Sequence, residues 1–130
     1  MYKKIVVCII HFNKEILFQL RDFNKTIIHP GKWGFFSGSV KVNESSFTAI
    51  KRELKEELNI TNFKNLKFLS FHLDASEKNI YKIYTLKVFK KKFTLLEGED
   101  FGFFKKYEFF QNKRSKKFNC FFNNADQSLM

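Results

Sequence analysis

The stretch Gly38–Ile60, GSVKVNESSFTAIKRELKEELNI, decides how the rest of the chain is read. Glu53, Glu56 and Glu57 stand three and four residues apart, so a helix presents them on one side, a turn from each other. Like charges at that spacing repel, and a purely structural helix gains nothing by gathering them. A divalent cation would turn that repulsion into affinity. On the same segment Phe47, Ile50, Leu54 and Leu58 recur at helical spacing and predict a core-facing stripe, with the carboxylates off it. Ser45 and Ser46 are candidate N-caps, with Glu44 near the positive helix end. Asn59 falls where a left-handed residue would stop the helix.

Upstream, Lys3–Phe12 (KKIVVCIIHF) is a nearly continuous apolar, β-branched run, the pattern of a strand buried on both faces. Asn13-Lys14 reads as a turn, and Glu15–Arg21 as the second strand of a hairpin. Asp22–Gly31 is a loop, Trp33–Phe36 a short aromatic strand, and Gly38–Asn43 a loop entering the helix. Downstream, Phe63–Leu73 and Asn79–Phe89 predict strands joined by the polar turn Asp74–Lys78. Leu95–Glu99 is a loop around Gly98, Phe101–Phe104 a further strand, and Tyr107–Phe110 the opening of a second helix. Residues 111–130 alternate aromatic and polar side chains without a clean period, which predicts a partly ordered tail. Strands flanking one strong helix imply a mixed-sheet α/β layer fold, with residues 1–130 as a single domain.

Composition narrows the function. The chain has 130 residues, 44% of them apolar, which excludes disorder over most of its length. It has no apolar run of membrane-spanning length. The opening MYKKIVVCIIHFNKEI superficially resembles a signal peptide but has no small-residue cleavage site, so none is expected. Cys8 and Cys120 carry no disulfide or metal spacing, making a reducing, cytoplasmic setting the default. His11, His29 and His72 show no mutual spacing that suits a metal. The net charge of +11 invites a nucleic-acid reading. The plainer explanation is a solvated surface from an AT-rich coding sequence, because Lys, Phe, Asn and Ile dominate and the lysines are mostly dispersed.

Gly38, Glu44, Arg52-Glu53-Leu54, Glu56-Glu57 and Asn59-Ile60 together resemble the Nudix box, G-x5-E-x7-R-E-U-x-E-E-x-G-U with U aliphatic. Every fixed position matches except the last Gly, which is Asn59 here. Asn is a mild departure, since it tolerates the left-handed conformation. LFQLRD at Leu17–Asp22, HPGKWG at His29–Gly34 and Glu97-Gly98-Glu99 extend the resemblance to about residues 3–110. The family implies an α/β/α sandwich around a mixed sheet. It also implies Mg²⁺-dependent hydrolysis, with Mn²⁺ as a substitute, of the diphosphate linkage in a nucleotide derivative such as an NDP-sugar or a (d)NTP.

By that resemblance Glu53, Glu56 and Glu57 are metal ligands, joined by the Gly38 carbonyl, and Arg52 holds a ligand glutamate in place. The general base maps onto Glu97, with its neighbour Glu99 or the box residue Glu57 as alternatives. Arg21 is a candidate for binding a phosphate or sugar. Trp33 and Phe35 are candidates for stacking on a base, with a core position the competing reading for both. The basic charge keeps an RNA 5′-end pyrophosphohydrolase open as the alternative enzyme, and a non-catalytic Nudix-fold binding module is the alternative from another class. A small nucleotide is the expected partner, without a membrane, and the family makes a homodimer the expected assembly.

Overall fold

Strand β1, Lys3–Phe12, is where the sheet is assembled. The computed structural model describes residues 1–20, 33–90, 93 and 100–105. The remaining elements are β2 (Glu15–Leu20), β3 (Trp33–Gly34), β4 (Phe36–Ser39), α1 (Ser46–Leu58), β5 (Leu66–Asp74), β6 (Asn79–Lys87) and β7 (Asp100–Lys105). The expected loops at 22–31 and 95–99, the second helix at 107–110 and the tail lie outside the described residues.

Residues 5–10 of β1 are all buried, as an apolar run covered on both faces requires. Lys3–His11 run parallel to β6, Lys3 opposite Asn79 and His11 opposite Lys87. On its other edge β1 divides its hydrogen bonds between two partners. Ile10–Phe12 pair with β2 through a tight turn at Asn13-Lys14, where φ is +48° and +65°. Ile5–Cys8 pair with β4 instead. The hairpin therefore splays, and β3 and β4 fill the wedge, β3 bonding to Gln19 and Leu20 of β2. Strand β7 covers the far edge of β2, and β5 closes the other end of the sheet against β6. Parallel and antiparallel pairs coexist, so the sheet is mixed and the class is α/β.

Two expectations change here. Trp33–Phe36 is not one strand, because Phe35 leaves the ladder and is buried at 1% exposure, stacked on Phe18 with centroids 5.0 Å apart. Gly38 and Ser39, expected in a loop, belong to β4 and face Val6 and Ile5 of β1.

Helix α1 lies across one face of the sheet. Ser45 caps it in an extended conformation and accepts from the Thr48 amide at 3.1 Å. Asn59 ends it in the left-handed region at φ +55°, and its amide donates to the Lys55 carbonyl at 2.9 Å. Ala49, Ile50, Leu54 and Leu58 are buried against Val6, Cys8, Ile10, Tyr84 and Leu86. Ile50, Leu54 and Leu58 each contribute roughly 1.5–3 kcal/mol by leaving water. The predicted stripe needs two corrections. Phe47 is 43% exposed, at the edge of the helix footprint, and Glu57, expected off the stripe, is buried at 6%. Among the described residues no helix is long and apolar enough to cross a membrane.

Candidate active site

Because α1 rests on β4 along one flank, Arg52, Glu53 and Glu56 come together over Gly38 and Ser39. Arg52 is the hub. Its Nε and Nη2 donate to the two carboxylate oxygens of Glu44 at 2.8 and 3.0 Å. Nη2 also donates to the Ser39 carbonyl at 2.9 Å. Nη1 donates to Glu53 Oε1 at 2.8 Å and to Glu56 Oε2 at 3.4 Å. A planar guanidinium has the donors for this and an ammonium does not.

Glu44 does not serve the helix end as expected. It accepts the Lys41 amide at 2.9 Å as well as the Arg52 fork. The Arg52 hydrogen bonds first, and the Lys41 amide second, hold its carboxyl down at about 2. The Glu44 contact in turn pushes the Arg52 guanidinium further up. The available signal for this pairing was the fixed spacing of Glu44 from Arg52.

Gly38 is required for close approach. A Cβ there would overlap the Cγ, Cδ and Oε1 of Glu53. Glycine thus seats the Glu53 carboxylate directly on the β4 backbone. Glu56 is the outermost of the group, with 45% of its side chain exposed against 12% for Glu53. Glu57 is buried, and its negative charge adds to the burial of Cys8 in driving the Cys8 thiol far up, burial being the larger cause. Cys8 is inert as a nucleophile in that state.

Three carboxylates meet one guanidinium, so the cluster keeps net negative charge. Among the described residues, no three His, Cys, Asp or Glu side chains are grouped closely enough to hold a metal as they stand. Arg52 draws Glu53 and Glu56 to itself, and Glu57 is buried. The donor set nevertheless fits a hard cation: it is all oxygen, anionic and seated on a strand with no Cβ in the way.

Of the other candidates, Phe35 takes the core position that the sequence left open. Trp33 opens β3. Arg21, Glu97 and Glu99 lie outside the described residues.

The divided edge of β1, the capped helix on it and the arginine gathering the box glutamates mark a Nudix-type domain, the domain of hydrolases of phosphoric anhydride bonds. The chain belongs to the NUDIX domain family, whose model matches residues 1–118. No curated protein sequence matches it. Among similar solved structures is a bifunctional NMN adenylyltransferase/ADP ribose pyrophosphatase from Francisella tularensis, with TM-score 0.76 and 17% identity over 99% of this chain and 41% of that one. A MutT NUDIX hydrolase from Burkholderia pseudomallei has TM-score 0.65 and 25% identity, covering 80% and 83% of the two chains. The NUDIX domain of Shewanella oneidensis NrtR has TM-score 0.69 and 17% identity over 85% and 77%. The chain spans only 44% of a MutT/nudix family protein from Enterococcus faecalis.

Proposed function

We propose that the chain is a Mg²⁺-dependent pyrophosphohydrolase that cleaves the diphosphate linkage of a small nucleoside diphosphate derivative, an NDP-sugar or a (d)NTP. The observation that carries this is the seat of Glu53 on Gly38, beside Glu56 and under the Arg52 fork. A helix packing on a strand has no structural need for a carboxylate pressed onto a glycine. Glu53, Glu56, Glu57 and the Gly38 carbonyl would hold the cation. Bound Mg²⁺ or Mn²⁺ supplies charge neutralisation for the diphosphate and acidifies water.

The chain's own part is positional. Arg52 fixes the Glu53 and Glu56 carboxylates, and Glu44 fixes Arg52. Glu97, or Glu99 or Glu57 in its place, takes the proton of the attacking water. Arg21 and Trp33 are the candidates for gripping the substrate. Two structural relatives support the substrate class, since the Shewanella domain was solved with ADP ribose and the Francisella enzyme with AMP and a Mn ion. We place the chain in the cytoplasm and expect a homodimer.

A screen with Mg²⁺ across ADP-ribose, NDP-sugars, dinucleoside polyphosphates and (d)NTPs tests the reading, with phosphate freed from the products by added alkaline phosphatase for the first three and by inorganic pyrophosphatase for the (d)NTPs. Turnover of one class that chelation abolishes is expected, and no turnover of any class, with Mg²⁺ or with Mn²⁺, would overturn it.

A further inference from the structure

The other flank of α1 carries a surface that hydrolysis does not explain. Phe68, Phe71 and Leu73 of β5 are 54%, 69% and 53% exposed, and Phe47 of α1 is 43% exposed beside them. Phe68 lies opposite Tyr84, Phe71 opposite Lys82 and Leu73 opposite Ile80. Tyr84, Lys82 and Ile80 alternate along β6, so all three β5 side chains share one face, the face that α1 partly covers.

The register explains how. Residues 68 and 71 would fall on opposite faces of a regular strand. The irregularity between Phe68 and Ser70 shifts the strand by one residue and returns Phe71 to the face of Phe68. Successive rows are then about 7 Å apart. Phe68 stands edge-on to Tyr84 at 5.5 Å, and Phe47 leans on the same ring at 6.0 Å. The result is a small aromatic shelf along β5, the last strand in the order among the described residues.

Its charge selects a partner. The Lys51 ammonium sits 4.7 Å over the Phe47 ring, and exposed Lys82 stands across from Phe71. The carboxylate that ends β5, Asp74, pairs across to Asn79 on the opposite face and is engaged by Ser76. A second copy of a chain with net charge +11 would bring lysine against lysine here. A single-stranded nucleic acid brings flat bases for the rings and phosphates for the ammonium groups together.

We propose that Phe47, Phe68 and Phe71, with Lys51 and Lys82, form a stacking platform for single-stranded nucleic acid. The platform is separate from the carboxylate cluster, so its failure and that of the hydrolase reading are distinguishable.

The test is fluorescence anisotropy of a short labelled oligouridylate with the full chain. Binding that weakens with salt is expected, weakened by about ten-fold or more in Phe71→Ala. Lys82→Ala should flatten the slope of log affinity against log salt by about 0.7. Phe71 is exposed, so the variant folds and hydrolyses small nucleotides as the parent does. No binding at low salt, or equal binding by Phe71→Ala, overturns the proposal. So does binding only to phosphatidylserine vesicles, or a dimer that Phe71→Ala dissociates without any effect on the oligonucleotide.

Discussion

Glu44 and Arg52 are joined by a two-point bond, Nε to Oε2 at 2.8 Å and Nη2 to Oε1 at 3.0 Å, that ties the loop before α1 to the helix's second turn. Through this bond the guanidinium is fixed before it reaches Glu53 and Glu56. A lysine at position 52 would keep the charge and lose the fork. Arg52→Lys should therefore lower apparent Mg²⁺ affinity or kcat by about 10–100-fold, with little change in fold. Metal titration of activity beside far-UV circular dichroism checks this.

The same pair sets an acid dependence. The Glu44 carboxyl is held at about 2 against an ordinary value of 4.5. A depressed carboxyl stabilises the fold above its unfolded value, and that contribution is lost as pH falls through the folded one. The stability difference between the parent and Glu44→Gln should be constant above pH 4.5 and shrink on the way down to about pH 2. Urea unfolding at stepped pH measures it, and a difference that grows on acidification would refute the assignment.

Gly38→Ala separates the site from the fold. The three atoms nearest to the added methyl all belong to the Glu53 side chain, whose end can swing away. Unfolding temperature should move by a few degrees at most, while activity falls about 10²-fold or more as Glu53 leaves its seat. Loss of both together would make Gly38 a folding residue instead.

Glu57→Gln should reduce the rate by about three orders of magnitude, as expected of a ligand in a charge-stabilising site. Glu97→Gln should cost less, about 10²-fold, if it serves as base. Single-turnover rates at saturating Mg²⁺ distinguish them, and an unchanged kcat in Glu97→Gln moves the base role to Glu99 or to the box.

Asn59 offers a stability test. Its φ of +55° is a conformation that a β-carbon disfavours. Asn59→Ala should destabilise by about 1 kcal/mol, and Asn59→Gly should be neutral or slightly stabilising. Thermal denaturation of both variants decides it.

What the sequence disclosed depended on whether the signal was local. β1 was legible to the residue because an unbroken apolar run leaves one interpretation. The caps of α1 were legible because Ser45 and Asn59 act on adjacent backbone. The split at Phe35 was not, since it follows from β1 and β2 diverging, a property of the pairing. Glu57 and Phe47 exchanged their expected environments for a related reason. Both lie near the edges of the helical stripe, and where a stripe ends is set by the sheet beneath. Glu44 was read as a helix-end charge, and its tie to Arg52 emerges only once the loop closes. The box resemblance named the carboxylates and gave Arg52 the task of holding one ligand glutamate, but not its place as the hub that collects Glu44, Glu53 and Glu56 together.

The parallel pairing of β1 with β6 has a consequence for how the protein is made. Residues 3 and 79 are neighbours in the finished sheet, yet the whole carboxylate-bearing helix is synthesised between them. Until β6 arrives, α1 has only part of its floor, because Tyr84 and Leu86 are missing from beneath it. Closing so long a loop is slow compared with forming the β1–β2 hairpin. A nascent or truncated chain that stops short of Lys87 therefore holds the cluster's residues without the surface that arranges them, and gains the site only with its last central strand.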